Sequence, residues 1–187
     1  GNGNGAANGE TGDDDETIDA NIRQFMGCFG LSAGRLASMN QVHGTHVEEV
    51  SEPGIYPDTD ALVTRRPGIG LAVRTADCVP VMLYAPGEQV VAAIHAGWRG
   101  TADHIAYKTV SFICETYGIE PDEILAYLGP CAGPGQYEVG EEVAARFDAA
   151  VIRRTEGRNP LLNLKAANMH DLISSGLQSH NIDVSPY

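Results

Sequence analysis

Four short apolar runs lie close together in the middle of the chain and restrict the fold more than any other feature. Turn signals at Pro67-Gly68 and Pro86-Gly87 separate neighbouring runs. Runs of this length that are apolar on successive residues are typical of strands buried on both faces of a sheet. The runs cover residues 61–64, 69–75, 79–85 and 89–96.

Helical patterns and one further strand surround these runs. Because they mix without a strict βαβ order, the sequence favours an α+β fold, with mixed β-sheets flanked by helices in a single domain. Residues 1–12 are rich in Gly and Asn and are expected to be flexible, which leaves residues 13–187 as the domain. No strand or helix is expected after the last helix. The helices are predicted from Asp13 to about Gly27 or Gly30 and over residues 101–117, 141–150 and 165–177, and the further strand over residues 123–128.

Charge and composition narrow the class of partner. The formal net charge is −13, and no basic run exceeds the pairs Arg65-Arg66 and Arg153-Arg154. Nucleic acids and anionic membranes bind clustered Lys and Arg, so neither is expected as a partner. The four cysteines form no C-x-x-C pair, and no secretory signal precedes the first helix. These features predict a cytoplasmic protein with a small-molecule substrate, and they are compatible with a homo-oligomer.

Three candidate metal ligands each stand at the end of a strand-like run, beside small residues. They are His43 of QVHG, Cys78 of TADC and His95 of IHAGWRG. Two imidazoles and a thiolate could hold zinc with its fourth position open for water or substrate. Asp77 would then orient a ligand or carry protons. The three share no short motif, so an inert buried Cys78 and ordinary hydrogen-bonded histidines remain open readings.

Three residues near these ligands suit an anionic or heterocyclic substrate. Arg99 precedes a predicted helix, and a cation beside a helix N-terminus favours phosphate, although a surface arginine is the alternative. Arg74 lies in an apolar run four residues before Cys78, so we expect it to be buried with a partner or ligand. Trp98 either packs in the core or stacks on a flat base.

Six segments of the chain resemble the YfiH-type family, also called the laccase-domain or multi-copper polyphenol oxidase family. The resemblance implies an α+β fold with mixed sheets and a zinc ion held by His43, Cys78 and His95. Family members usually also have a strand with an Arg-Gly-Gly segment before this region and a Ser-Tyr-Arg-Arg segment after it. Neither occurs in these 187 residues, so the domain is expected to lack terminal pieces. The matching segments are NQVHGTHV, DALVT, GLAVRTADCVPVMLY, AAIHAGWRGT, LGPCAGPGQYEVG and LNLKAAN.

The family resemblance implies purine nucleoside chemistry. Its members are phosphorylases of adenosine, inosine, guanosine and methylthioadenosine, which release the free base and ribose 1-phosphate, and they deaminate adenosine to inosine. In deamination Asp77 would move protons while water attacks C6 of adenine. In phosphorolysis the phosphate would lie against Arg99 or Arg74, with Trp98 available to the base.

Three other functions are consistent with the same residues. The older family name implies copper-dependent phenol oxidation, and one His₂Cys set could hold a single copper. A multicopper oxidase, however, needs a trinuclear cluster and a blue-copper centre, which require more histidines than the six present. A metal-free cysteine hydrolase would use Cys78 as nucleophile and His95 as base. The third is a binding or scaffold protein without activity.

Overall fold

The computed structural model describes residues 14–186, which form two compact units on either side of the boundary between Gly34 and Arg35. In the first unit, helix α1 (Asp15–Cys28) begins after Asp14. The Asp14 carboxylate accepts a hydrogen bond from the Thr17 amide at 2.8 Å, which satisfies a free N–H of the first turn. The predicted first helix is therefore confirmed, whereas the flexible segment predicted for residues 1–12 lies outside the described residues.

The second unit contains eleven strands among the described residues, arranged in three sheets. The largest is a mixed six-stranded sheet with the order β11-β8-β6-β7-β4-β2. A parallel three-stranded sheet has the order β3-β1-β5, and β9 and β10 form an antiparallel pair. The strands are β1 (Leu36–Met39), β2 (Val47–Glu49), β3 (Gly54–Tyr56), β4 (Ala61–Thr64), β5 (Gly70–Ala72), β6 (Val79–Ala85), β7 (Val90–Ala96), β8 (Leu125–Leu128), β9 (Ile152–Arg153), β10 (Leu161–Leu162) and β11 (Ile182–Val184).

Two layers pack on the large sheet. Helices α2 (Trp98–Ala102), α3 (Ile105–Tyr117), α4 (Glu141–Ala144) and α5 (Leu164–Ser174) follow in chain order. The main core lies between this sheet and the helices, and it includes Ile94, Ile113 and Leu172. On the opposite face, Leu62 packs with Met39 of the small sheet. These mixed sheets flanked by helices confirm the predicted α+β class.

All five predicted runs contain a strand, and two expectations about them need correction. The strands predicted over residues 61–64 and 79–85 have the predicted bounds, but the run over residues 69–75 contains only the three-residue β5. Strand β6 is not buried on both faces, because Met82 and Tyr84 point away from the helices and are exposed. Leu125 and Tyr127 of β8 continue this exposed apolar surface.

The helix predictions were correct in type and less accurate in extent. The helix predicted over residues 101–117 is divided into α2 and α3 by His104, which has a left-handed backbone with φ of 62°. The helix predicted over residues 141–150 ends at Ala144. The expectation that nothing follows the last helix was wrong, because β11 pairs with β8 in parallel at the edge of the large sheet. No helix in the described part of the chain is long and apolar enough to cross a membrane.

Candidate metal centre

Three neighbouring strands of the large sheet bring two of the candidate ligands, Cys78 and His95, together with Asp60. Cys78 directly precedes β6, and His95 lies near the end of β7. In the antiparallel β6–β7 pair, Val79 is opposite Ala96, so Cys78 lies next to Gly97. Strand β4 pairs with β7 on its other side, with Ala61 opposite Ile94, which places Asp60 beside His95. Sheet pairing therefore aligns residues that are far apart in sequence.

The loop that carries His43 is held by a buried carboxylate. His43 follows β1, and its backbone is left-handed, with φ of 62°. Both oxygens of Asp60, whose side chain is fully buried, accept hydrogen bonds from this loop. The amides of Val42, His43 and Gly44 donate to them at 3.2, 3.0 and 2.7 Å. These three bonds offset the cost of the left-handed residue and present the His43 ring to the other two ligands.

His43, Cys78 and His95 form a compact set of ligands. One nitrogen or sulfur atom from each lies within 4.8 Å of the other two. The two imidazole rings are edge to face, with centroids 4.7 Å apart and an interplanar angle of 80°. His95 is buried, Cys78 is half-buried and His43 is exposed. The set is therefore closed on the side of the sheet and open on the side of His43.

Asp60 also orients the buried imidazole. Its Oδ1 is 2.7 Å from Nδ1 of His95, and the main-chain amide of His95 donates to the Asp60 carbonyl oxygen at 2.8 Å. With Nδ1 engaged, Nε2 of His95 is the nitrogen available to a metal. This carboxylate–histidine arrangement is typical of zinc sites, where it sets the tautomer and ring orientation.

The protonation of this pair follows from burial and its partners. Burial by itself lowers the pKa of His95, but the interactions with Asp60 and Cys78 outweigh it and raise that pKa to about 9. Burial raises the pKa of Asp60, but the hydrogen bonds from His95 and from the His43 loop bring it below the ordinary value. A metal ion that enters at neutral pH therefore has to displace a proton from His95.

The donor set and its packing fit a small soft or borderline ion. Two imidazoles with one thiolate suit zinc or copper and are foreign to calcium or magnesium sites, which use oxygen ligands. Close packing around the set depends on Gly97. A Cβ atom at this position would lie 2.7 Å from Cδ2 of His43 and 3.1 Å from Sγ of Cys78.

Substitution Gly97→Ala is expected to displace the ligands and weaken metal binding. The added methyl group overlaps the His43 ring, so affinity for zinc should fall about 10-fold or more, comparable with the loss of a supporting contact. Competition with a chromophoric chelator measures this affinity. Gly87→Ala is the matched control, because a Cβ atom there would meet nothing within 4 Å. Unchanged zinc affinity in Gly97→Ala would show that the ligand cluster tolerates expansion.

A cavity of about 540 Å³ opens over the ligand set. Every residue that the sequence indicated for metal, substrate or catalysis lies on its wall, and four further residues join them: Gln41, Thr75, Ala76 and Tyr137. The indicated residues are His43, Arg74, Asp77, Cys78, His95, Trp98 and Arg99.

Arg74 and Asp77 differ from their expected surroundings. Arg74 was expected to be buried, but it follows the short β5 and is exposed at the cavity wall. The side chain of Gln41 holds the main chain of Arg74. Its Nε2 donates to the Arg74 carbonyl oxygen at 2.7 Å, and the Arg74 main-chain amide donates to Gln41 Oε1 at 2.9 Å. Asp77 is also exposed. The carboxylate that orients His95 is Asp60, so the orienting role considered for Asp77 does not apply to that ring.

Trp98 and Arg99 form one side of the cavity. The guanidinium carbon of Arg99 is 4.4 Å from the centroid of the Trp98 ring, which is a close cation–π contact. Trp98 is half-buried and packs against the main core. Arg99 lies inside α2, whereas the sequence placed it before a helix, and α2 has only five residues. The helix dipole contributes little over this length, so anion binding here would depend on side chains.

The sequence analysis missed Asp60, Gln41 and Tyr137. Asp60 had a usable signal, because a carboxylate directly before a fully buried strand requires several hydrogen-bond donors. Gln41 and Tyr137 had none, since only the fold brings their loops to the cavity. The histidines expected at the surface are exposed, and they are His46, His104, His170 and His180.

Comparisons with known proteins identify the family of this chain. Residues 4–187 match the sequence profile of the family described as multi-copper polyphenol oxidoreductase laccase. A Deinococcus radiodurans protein named purine nucleoside phosphorylase is 40% identical over 187 residues, which cover 94% of this chain and 73% of the relative. A protein of an unknown prokaryotic organism, named adenosine deaminase RL5, is 34% identical over 182 residues, or 88% of this chain and 69% of the relative.

Solved structures share the fold. The hypothetical protein YfiH of Bacillus licheniformis superposes with a TM-score of 0.89 at 26% identity, over 95% of this chain and 73% of that one. YlmD of Geobacillus stearothermophilus gives a TM-score of 0.88 at 31% identity, over 95% of this chain and 72% of that one. With its sequence, its fold and its candidate His-Cys-His metal site, this chain belongs to the laccase-like YfiH family of enzymes.

Proposed function

We propose that this protein is a zinc-dependent purine nucleoside enzyme. It splits adenosine, inosine or guanosine with phosphate to give the free base and ribose 1-phosphate, and methylthioadenosine to give adenine and 5-methylthioribose 1-phosphate. It also deaminates adenosine to inosine. The observation that carries the proposal is the His43, Cys78 and His95 set, open on one side to a cavity that also holds two arginines and a tryptophan. The names of the relatives, purine nucleoside phosphorylase and adenosine deaminase, support it.

In this proposal the protein residues divide the work between binding and proton transfer. Zinc held by His43, Cys78 and His95 would supply a Lewis acid for activating water or polarising the substrate. Trp98 offers a flat face for the purine, and Arg74 and Arg99 offer positive charge for phosphate. Asp77, exposed on the same wall, would carry protons during deamination.

The family name supports copper as an alternative to zinc, with phenol oxidation as the corresponding activity. The described residues contain a single cluster of potential ligands, the His₂Cys set. One such set can hold one copper ion for electron transfer, but four-electron reduction of oxygen uses several coppers. The nucleoside reactions need only one metal ion, and for this reason we favour them.

The geometry also suits a metal-free cysteine hydrolase. His95 interacts with Asp60 on one side and with Cys78 on the other. This is the order of an orienting acid, a base and a nucleophile in a catalytic triad. Metal analysis of protein purified without added zinc separates the two functions. Stoichiometric metal supports the zinc enzyme, whereas metal-free protein with activity lost on alkylation of Cys78 supports the hydrolase.

The decisive test is turnover of adenosine with and without phosphate, followed by chromatography. Adenine should form only when phosphate is present, and inosine should form in both cases. Catechol oxidation by protein that turns over neither adenosine nor inosine would overturn the proposal. Failure of every substrate would favour a binding protein.

Substitution of each cavity arginine by methionine should identify the phosphate ligand. Loss of a charge-assisted hydrogen bond of about 1.5–3 kcal/mol should raise the KM for phosphate about 10-fold or more. Deamination, which uses no phosphate, should stay within about twofold in the same variant. The measurements compare Arg74→Met and Arg99→Met with Arg158→Met, an exposed control away from the cavity. If neither variant changes the KM for phosphate, these arginines do not bind it.

The cysteines support a reducing compartment. Cys28, Cys78, Cys114 and Cys131 are all free thiols. Free thiols persist in the cytoplasm, which we propose as the site of action.

A further inference from the structure

Tyr137 has a fixed main chain next to the candidate metal centre. It lies in the loop between β8 and α4, and its carbonyl oxygen accepts a hydrogen bond from the Leu162 amide at 2.9 Å. The next residue, Glu138, forms a bridge with Leu161 of β10. The ring is half-buried and packs against the main core. The main chain at Tyr137 is therefore fixed by β10, and the ring is positioned by its packing against the core.

The hydroxyl group of Tyr137 is available to hydrogen-bond a substrate bound in the cavity. Tyr137 lines the same cavity as the three metal ligands. Among residues 14–186, no protein group accepts a hydrogen bond from its hydroxyl, and none donates one to it. Burial and the charges of Cys78 and Asp77 raise the pKa of the phenol, and the charge of Arg99 opposes them. The hydroxyl therefore lies within electrostatic reach of the substrate-facing residues and remains available as a donor.

Phosphorolysis of a purine nucleoside needs a proton donor at the leaving base. When the bond between C1′ and N9 breaks, its electron pair moves into the purine, and protonation of the ring stabilises that charge. The two cavity arginines do not release protons at any working pH. The two histidines and Cys78 would be engaged by the metal, and Asp77 is the proton carrier proposed for deamination. A neutral phenol releases a proton, and Tyr137 is the tyrosine that the structure places on the cavity wall.

We propose that Tyr137 is a further catalytic residue, which donates its phenolic proton to the departing purine during phosphorolysis. This inference rests on the proposed nucleoside phosphorylase activity. A phosphate oxygen forms the bond to C1′ as the bond to N9 breaks, and the purine leaves as a neutral base with the proton of Tyr137. The ribose 1-phosphate formed from hydrogen phosphate carries one ionisable proton, which returns to the phenolate through solvent.

The test compares two nucleosides in the variant Tyr137→Phe. Loss of general acid catalysis should lower kcat for inosine about 100-fold. The base of 7-methylinosine carries a positive charge and leaves without protonation, so its kcat should change less than about threefold. Deamination of adenosine and zinc content should also remain unchanged. Tyr127→Phe, on the exposed face of β8, is the control.

Each outcome bears on one of the two proposals. An equal loss for inosine and 7-methylinosine, or no loss for either, would overturn the role of Tyr137. Wild-type protein that turns over neither nucleoside would instead overturn the proposed function. A measurement on wild-type protein covers the case in which the variant does not fold. Phosphorolysis of inosine should then be slower in D₂O, and that of 7-methylinosine should not, whereas equal isotope effects would contradict proton donation by a protein group.

Discussion

Replacing Cys78 by alanine is expected to remove the metal and abolish both nucleoside reactions. Cys78 supplies the single sulfur ligand of the candidate centre, and the other two ligands are imidazoles. Two histidines leave a divalent ion without the third protein ligand that catalytic zinc sites have. Activity should therefore fall by about 10³-fold or more, on the scale of losses when an essential catalytic group is removed.

Metal analysis and turnover on the same protein sample measure this effect. Wild-type protein should contain about one zinc per chain, as a three-ligand site requires, and Cys78→Ala should contain almost none. Cys114→Ala is the matched control, because Cys114 is a half-buried thiol of α3 outside the ligand set. A Cys78→Ala protein that keeps stoichiometric zinc would place the metal elsewhere. One that loses zinc but keeps activity would exclude a metal mechanism.

Replacing Asp60 by asparagine is expected to weaken both metal binding and folding. The Asp60 carboxylate accepts four hydrogen bonds, from His95 Nδ1 and from the amides of Val42, His43 and Gly44. An amide replaces one acceptor oxygen by a donor, which faces N–H groups that then have no partner. Loss of a carboxylate that hydrogen-bonds and orients a metal-binding histidine lowers the affinity for the metal about 10–100-fold. The unpaired buried groups lower the free energy of unfolding by about 1–3 kcal/mol.

Chelator competition and urea unfolding of the metal-free protein separate the two effects. The metal-free measurement is needed because bound metal stabilises the folded state by mass action. Asp58→Asn is the control, since Asp58 lies two residues before Asp60 and is exposed. Zinc affinity equal to that of the wild type in Asp60→Asn would contradict the orienting role. Unchanged stability would contradict the structural role of the three amide contacts.

Strands could be predicted from the sequence where a short apolar run was clearly bounded by turn residues. The runs over residues 61–64 and 79–85 became β4 and β6 because short apolar runs between Gly and Pro turns have few other conformations. The break in the helix at His104 could not be predicted, since a left-handed non-glycine residue is selected by tertiary packing. β11 was missed for a similar reason: Ile182–Val184 is a strand only because the edge of β8 is available for pairing.

The sequence alone determined the α+β class, the chemistry of the ligands and their positions at strand ends. These properties depend on residue type and on the next few neighbours, so a single chain displays them. Only the tertiary structure decided that the pairing of β6 with β7 and of β7 with β4 brings Cys78, His95 and Asp60 side by side. It also decided that Asp60, and not Asp77, orients His95. Register between strands is set by contacts distant in sequence, and for that reason the sequence could propose the three ligands as one set but could give neither their geometry nor the role of Asp60.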